Sequence, residues 1–484
     1  MTFKMATAIL LTAATLGAVA TGGDKVAKAV DDICKEQAFL RGLREHIQSK
    51  VRTGKAKIDT IRQQASKWQL AEAASADRTR TCALRTLQLY ATASITVEMA
   101  KQAALELTAA KAVNAISEQI GSLDAASKLS EAIATDSTNG HTSTNNVLNI
   151  KLSTAAGSGP VCDAVADASK IEPGTGAPNY NRAHELKLTK PDDLYKVLKT
   201  TTVSIGGLTT CGNQNSPTNF QSAIGSCTAD GSGETLTVRT AAGNKQAATT
   251  ATKIFKSEED MTQCDTAVTP ENTHQNKQQL LALYVCRTLL QPAAEGPLPS
   301  ELSEKTLKES QIVLTALRNC VPELQTLRDA STGDTKQKLQ AFTETLYGEE
   351  PRKFAENYIS KLDAIHVPLR QADKTDSKPI NQITTPEQQA AVLSNSEGER
   401  IKKELEAEKK NEATSKSIDT KNEEKCKGKP QGECKEKDGC EFKDGKCKHK
   451  EGVKSENDEK NTNTTGNNSF PVKAPLLLAV LLLA

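Results

Sequence analysis

A stripe of mainly apolar residues runs along the chain from Val26 to Trp68. Its members are separated alternately by four and three residues, which is the heptad spacing of a coiled coil. An unpaired helix would not be expected to keep such a seam for so long. At about 1.5 Å per residue, the stripe predicts a helix of about 60 Å. The members are Val26, Val30, Ile33, Gln37, Leu40, Arg44, Ile47, Val51, Gly54, Ile58, Ile61, Ala65 and Trp68.

Small and polar residues interrupt the stripe over 73–81 and predict a turn there. A second helix over about 82–135 would then fold back and supply the opposing side chains. Residues 25–135 contain no proline and are rich in Ala, Leu, Gln, Lys and Glu, which supports helix on both sides of the turn. We therefore predict a mainly α fold that contains a long antiparallel helical coiled coil.

The composition changes to Ser, Thr, Gly, Asn and Pro between residues 136 and 270, and helical periodicity is lost. Residues 234–240 alternate in polarity as a short strand would. This stretch predicts a loop-rich lobe with short β-strands. Helical patterning resumes at Thr269, an N-cap residue followed by Pro270. It continues to Leu290 and then over 299–329 and 334–364.

Both ends of the chain have the composition of processing signals. Residues 5–20 are uncharged and end on Ala18-Val19-Ala20, the small-x-small pattern of signal peptidase sites, although an amphipathic first helix is an alternative. The apolar tail 474–484 is too short to span a membrane, which takes roughly 20 residues. A short spacer and small polar residues precede it, which is the order found where a glycosylphosphatidylinositol (GPI) anchor replaces the tail. We expect the anchor at Asn467; a disordered terminus is the alternative.

The predicted domain boundaries follow these changes in composition. Pro368, Pro379 and Pro386 precede a charged stretch whose residues 397–411 have a helical pattern. Such charge-rich sequence buries little apolar area, so we predict a flexible linker there. The predicted segments are a signal peptide (1–20), an elongated helical N-terminal domain (21–385) that includes the distal lobe (136–270), a charged flexible linker (386–425), a small cysteine-rich domain with the anchor spacer (426–467), and a removed attachment signal (468–484).

The chain contains 12 cysteines in two groups of even number, which suits the oxidising secretory route. Each thiol can therefore pair within its own group, but the sequence leaves the connectivity open. For the C-terminal four, zinc ligation is an alternative to two disulfides, although no gap is as short as the usual C-x2-4-C knuckle. The groups are Cys34, Cys82, Cys162, Cys211, Cys227, Cys264, Cys286 and Cys320, and Cys426, Cys434, Cys440 and Cys447.

No enzymatic signature stands out in the sequence. The six histidines are scattered, and the H-E-x-x-H, G-x-S-x-G and phosphate-loop motifs are missing. We therefore predict no catalytic residue, no cofactor and no metal site. The formal net charge of +2 gives no electrostatic reason to expect a nucleic-acid partner. Asn463-Thr464-Thr465 is an N-glycosylation sequon in polar sequence, and we expect Asn463 to carry a glycan.

The end of the chain closely resembles the carboxyl end of trypanosome variant surface glycoproteins. The likeness lies in 463–470 and 473–479, and the 426–447 module is similar to the small C-terminal domain of that family. The region from Ile33 through the Ala-rich helices is similar to its N-terminal domain, most nearly the class A form. Phe470-Pro471-Val472 departs from the β-branched run that the family more often has, which leaves the anchor position open by a residue or two.

This resemblance implies a homo-oligomer, expected as a dimer although a trimer stays open, with the lobe at the membrane-distal end. It implies a glycoprotein coat that is attached through GPI to the outer leaflet of the plasma membrane. Such a coat shields invariant proteins, meets host antibodies and supports immune evasion by antigenic variation. A GPI-anchored nutrient receptor on the same helical scaffold is the main alternative, and an anchored enzyme is a third reading.

Overall fold

The computed structural model describes residues 23–157, 162, 165, 167–197, 199–209, 211, 218–241, 249–265, 276–348, 351–426, 430–435, 440–443 and 445–449. The chain divides into two compact units. The first comprises Met1–Val367 and Ser377–Thr384, and the second comprises Pro368–Asp376 and Thr385–Ala484.

Helices dominate the described residues, and the strands form two-stranded sheets. The helices are α1 (Lys25–Lys28), α2 (Ile33–Ala74), α3 (Arg78–Ser130), α4 (Phe220–Ile224), α5 (Lys277–Leu290), α6 (Glu304–Lys308), α7 (Gln311–Cys320), α8 (Gly333–Tyr347), α9 (Pro351–Tyr358) and α10 (Pro386–Cys426). The strands are β1 (Ile133–Thr144), β2 (Val147–Ala155), β3 (Glu185–Thr189), β4 (Thr201–Gly206), β5 (Thr235–Thr240), β6 (Thr249–Lys253), β7 (His366–Gln371), β8 (Lys374–Pro379), β9 (Cys440–Lys443) and β10 (Lys446–His449).

Helices α2 and α3 form a long antiparallel hairpin, which confirms the main fold prediction. The partners run in opposite directions along the pair, from Arg41 with Asp124 at one end to Glu72 with Arg85 at the other. The turn lies at 75–77, inside the predicted 73–81. Asp77 caps α3, because its carboxylate accepts a hydrogen bond from the Arg80 backbone N–H at 2.6 Å.

The predicted stripe faces the interior of the first unit. Eleven of its positions are buried, and Arg44 and Val51 are half-buried. The Arg44 guanidinium donates a hydrogen bond to the Ser117 hydroxyl across the hairpin. The prediction of one continuous helix over 26–68 was wrong, however, because the chain breaks between α1 and α2. Helix α2 starts after Asp32, whose carboxylate accepts a hydrogen bond from the Lys35 backbone N–H.

The lobe is built from three antiparallel strand pairs, β1 with β2, β3 with β6, and β4 with β5. The predicted strand over 234–240 is β5. Only β3 and its surroundings contribute strongly to the core that the lobe shares with the hairpin. The lobe residues of that core are Ala168, Ile171, Ala183, Leu186, Leu188, Val197, Ile254 and Phe255, and the α2 residues include Ile33, Leu40, Leu43 and Ile47.

Short helices cover the turn end of the hairpin. The predicted helix over 299–329 is broken into α6, α7 and 3₁₀ turns, one of which begins at Pro322, where the missing N–H prevents continuation of α7. Trp68 is fully buried and donates its indole N–H to the Tyr358 carbonyl at 2.6 Å. The ring centroids of Tyr347, Phe354 and Tyr358 lie within 6.0 Å of one another, so the residue that accepts this hydrogen bond also belongs to an aromatic cluster.

Helices α5 and α10 have boundaries that the sequence did not predict. Helix α5 starts at Lys277 with Asn276 as its N-cap, and the predicted start at Thr269 and Pro270 lies outside the described residues. In the second unit, α10 occupies the whole of the predicted linker 386–425 and is therefore longer than the predicted helical run 397–411. Residues 397–411 are exposed on every face of that helix. Arg400 pairs there with Glu397 and Glu404.

Candidate functional site

The structure pairs all 12 cysteines, and each pair stays within its sequence group. Cys34–Cys162 fastens the lobe to α2, and Cys264–Cys286 fastens it to α5. Cys82–Cys320 ties α3 to α7, and Cys211–Cys227 closes a loop of the lobe. Cross-links of this kind restrict the unfolded chain and typically stabilise by about 2–4 kcal/mol. The lobe therefore depends on cystines as much as on its small share of the core.

The buried core of the C-terminal module consists of disulfide-bonded cysteines. Cys426 pairs with Cys440 and Cys434 with Cys447, which is one of the three pairings that the sequence left open. Cys426, Cys440 and Cys447 are buried, whereas Phe442 stays 37% exposed. The β9–β10 hairpin provides two of these cysteines. With so little apolar area to bury, the module is held by its two disulfides.

A buried carboxylate joins the lobe to the helical hairpin. The Glu36 side chain, on α2, accepts hydrogen bonds from the Gln119 amide of α3 at 2.7 Å and from the Thr189 backbone N–H of β3 at 2.9 Å. It also accepts one from the Thr189 hydroxyl at 2.7 Å. Burial raises the pKa of Glu36 to about 7, although the three hydrogen bonds favour its charged form. Sequence reasoning missed this residue, because a lone Glu beside a heptad stripe looks solvent-exposed.

A shallow cleft of about 410 Å³ lies where α2 meets the loop 167–180. His46 packs against the Tyr180 ring, with centroids 5.3 Å apart. Gly42 allows the approach of Tyr180, since a Cβ at that position would overlap the phenol oxygen. Carboxylates of Glu45 and Asp167 lie on the rim, and Asp167 is held by the Ser169 backbone N–H.

Helix α3 carries a second heptad seam on the face that points away from α2. The two leucines of this seam are exposed, Leu89 at 47% and Leu107 at 63%. The seam could have been found from the sequence by its spacing, but we assigned the apolar residues of this helix to packing against the first stripe. The members, at steps of four and three, are Leu89, Ala93, Thr96, Ala100, Ala103, Leu107 and Ala110, and we call them the α3 seam.

Histidines and acidic residues do not assemble into a reactive cluster among the described residues. His46 lies 3.1 Å from the Asn181 side chain, and His141 pairs with Asp136 at 2.9 Å on a different part of the lobe. Over the same part of the chain, no group of three or more His, Cys, Asp and Glu side chains is placed to hold a metal ion. Asn463 and Asn467, the predicted glycan and anchor residues, lie outside the described residues.

No helix in the described part of the chain is both long and apolar enough to cross a membrane. A family model described as variant surface glycoprotein ETAT matches residues 416–483. The chain is 58% identical over 60 residues to variant surface glycoprotein ILTAT 1.22 of Trypanosoma brucei brucei, which covers 12% of each protein. It is 59% identical over 44 residues to variant surface glycoprotein ETAT 1.2 of Trypanosoma brucei rhodesiense, which covers 9% of this chain and 78% of that relative.

The fold is similar to a solved structure described as variant surface glycoprotein VSGsur bound to suramin. The TM-score is 0.61 at 18% sequence identity, and the superposition covers 78% of this chain and all of the other. At that identity the likeness concerns the fold alone. The family model matches only the last part of the chain, whereas the structural match covers more than three quarters of it.

Proposed function

This chain belongs to the variant surface glycoprotein family, and on that premise we propose that it is a surface coat glycoprotein without a catalytic role. It is held in the outer leaflet of the plasma membrane by a GPI anchor on Asn467, and it carries an N-glycan on Asn463. It shields invariant proteins from host antibodies and supports immune evasion by antigenic variation. The observation that carries this proposal is the family match over 416–483, which spans the disulfide-bonded module and the apolar tail together.

The mature chain in this proposal runs from Thr21 to Asn467. The signal peptide 1–20 is removed at entry to the secretory route, where oxidising conditions allow the six disulfides to form. The tail 468–484 is exchanged for lipid. The boundaries of the N-terminal domain, the linker and the C-terminal domain remain as proposed from the sequence.

The layout of the first unit supports an outward-facing lobe. The lobe packs near the start of α2, where Cys34 forms its disulfide with Cys162. The chain first leaves this unit shortly after the 3₁₀ helix Ser360–Ala364, whose Asp363 pairs with Lys67 of α2 at 2.6 Å, and it returns only for Ser377–Thr384. At about 1.5 Å per residue, these two points on α2 are about 50 Å apart. A chain anchored through its C-terminus would therefore hold the lobe far from its point of exit.

The α3 seam supports a homodimer as the unit of this coat. Its residues are uncharged and mostly small, so two such faces can approach closely and exclude water. A self-complementary apolar face suits a two-fold interface, in which both copies use the same patch.

A single substitution tests the dimer. Leu107→Glu places a charge in the α3 seam, and sedimentation of the mature protein should change from dimer to monomer. Leu129→Glu is the matched control, because Leu129 is 59% exposed on the same helix but lies off the seam. A Leu107→Glu variant that stays dimeric, or a Leu129→Glu variant that dissociates, would place the contact elsewhere.

The anchor is tested on living cells and on the mature peptide. Phosphatidylinositol-specific phospholipase C should release the protein from the cell surface, and mass spectrometry of the C-terminal peptide should find ethanolamine-glycan on Asn467. A mature peptide that ends at Ala484 would refute the anchor. Abundance separates the coat from the nutrient receptor, since a coat protein dominates the surface, whereas a receptor is scarce and co-purifies with a serum protein.

A further inference from the structure

The junction between the lobe and the hairpin contains an ionisable group, Glu36, that forms no ion pair with any side chain in the described ranges. We propose that Glu36 makes the attachment of the lobe to the helical hairpin sensitive to pH near neutrality, with the firmer attachment when its carboxyl group is protonated. This inference concerns the fold itself and is independent of the anchor and the coat.

The geometry places Glu36 where three elements meet. Glu36 lies on α2 and is 1% exposed, and its partners Gln119 of α3 and Thr189 of β3 are 9% and 0% exposed. Gln119 also donates to the Thr189 carbonyl at 3.0 Å, so the same amide joins α3 to β3 directly. Opening the lobe from the hairpin must therefore break this cluster and expose the carboxyl group to water.

Charged side chains on the surrounding elements are engaged elsewhere or face solvent. Among the described residues, none forms an ion pair with Glu36, and the causes of its raised pKa are burial opposed by hydrogen bonds, with no charge among them. Lys190, which follows Thr189, is exposed. The ion pairs on the packed elements include Lys35 with Asp31, Arg41 with Asp124, Glu118 with Lys277, Lys187 with Glu185, Lys196 with Asp193 and Lys28 with Glu258.

Both protonation states can be accommodated by the same partners. The ionised carboxylate accepts all three hydrogen bonds, as the structure shows. When the carboxyl group is protonated it must donate one, and the Thr189 hydroxyl can rotate to accept it. The cluster therefore need not come apart at either pH, and the difference is one of free energy.

The firmer attachment of the lobe at low pH follows from the upward shift in the pKa of Glu36. The pKa of Glu36 is higher in the folded protein, about 7, than its ordinary value of 4.5. The folded junction therefore binds the proton more tightly than the open one, so its stabilising contribution is complete below pH 4.5 and is lost as the pH rises through about 7. Acidification tightens the attachment of the lobe, and alkalinisation weakens it.

Hydrogen exchange of the mature protein tests this proposal. Protection factors of the β3 amides, corrected for intrinsic exchange, should fall about 25-fold between pH 5.5 and pH 8 as the buried carboxyl group ionises. Glu36→Gln keeps the shape of the side chain but cannot titrate, so this fall should disappear. Equal protection at both pH values in the unmodified protein would overturn the proposal.

Two further variants separate titration from simple structural damage. Thr189→Val removes a hydrogen bond that favours the charged form of Glu36, so the midpoint of the pH dependence should move to higher pH. This test remains available even if the Glu36→Gln variant fails to fold. Glu98→Gln is the control, because Glu98 is also buried on the hairpin but is paired with Lys101. A loss of the pH dependence in Glu98→Gln, or an unmoved midpoint in Thr189→Val, would assign the effect to another group.

Discussion

Replacement of Trp68 by alanine should destabilise the first unit more than most single substitutions. Trp68 is the one tryptophan of the chain and is fully buried. Its removal leaves a cavity where the buried indole stood, and a buried Trp→Ala change typically costs about 3–5 kcal/mol. The Tyr358 carbonyl also loses its 2.6 Å hydrogen bond and keeps only the longer one from the Gln64 amide, at 3.4 Å.

The effect can be measured by thermal unfolding followed by circular dichroism at 222 nm, because the substitution removes the tryptophan fluorescence. With roughly 2 cal/mol/K of unfolding entropy per residue, a unit of this size should lose on the order of 5 °C in Tm. Phe220→Ala is the matched control, since Phe220 is 78% exposed and its loss should change stability by less than about 0.5 kcal/mol. A Trp68→Ala variant that costs under about 1 kcal/mol would refute the assignment of Trp68 as a core residue.

Two further predictions concern the hairpin and its attachments. Gly42→Ala should cost about 1–3 kcal/mol, because the added methyl group overlaps the Tyr180 hydroxyl. Tyr180→Phe in the same chain should recover part of that loss in urea unfolding; no recovery would mean that the clash is elsewhere. Replacing both Cys82 and Cys320 by serine should cost about 2–4 kcal/mol, since the disulfide joins residues 238 apart in sequence. Equal urea unfolding of that variant and the unmodified protein under non-reducing conditions would contradict it.

The long hairpin could be predicted from the sequence because its information is local. Heptad spacing from Val26 to Trp68 marks which face is buried, and the structure buries or half-buries every member. Small polar residues over 73–81 mark the turn. The break before α2 was missed, because neither the end of α1 at Lys28 nor the Asp32 cap of α2 disturbs the apolar spacing.

The lobe could be predicted only as a class of structure. Strand β3 pairs with β6, more than sixty residues later, and the intervening β4–β5 pair leaves no periodic signal that links the two. The residues of the candidate site could likewise be predicted only in part. The cysteines were visible, but their partners were not, and the role of Glu36 depends on Thr189, which tertiary packing alone brings to it.

The β1–β2 hairpin affects how readily this protein can tolerate amino-acid substitutions. Nearly all of β2 and the outer half of β1 are exposed, and neither strand contributes to the shared core. Substitutions at such positions usually alter stability by no more than about 0.5 kcal/mol. This exposed hairpin can thus accumulate mutations while the cystines and the helical hairpin preserve folding, and under the proposed function it is a surface that antibodies would meet.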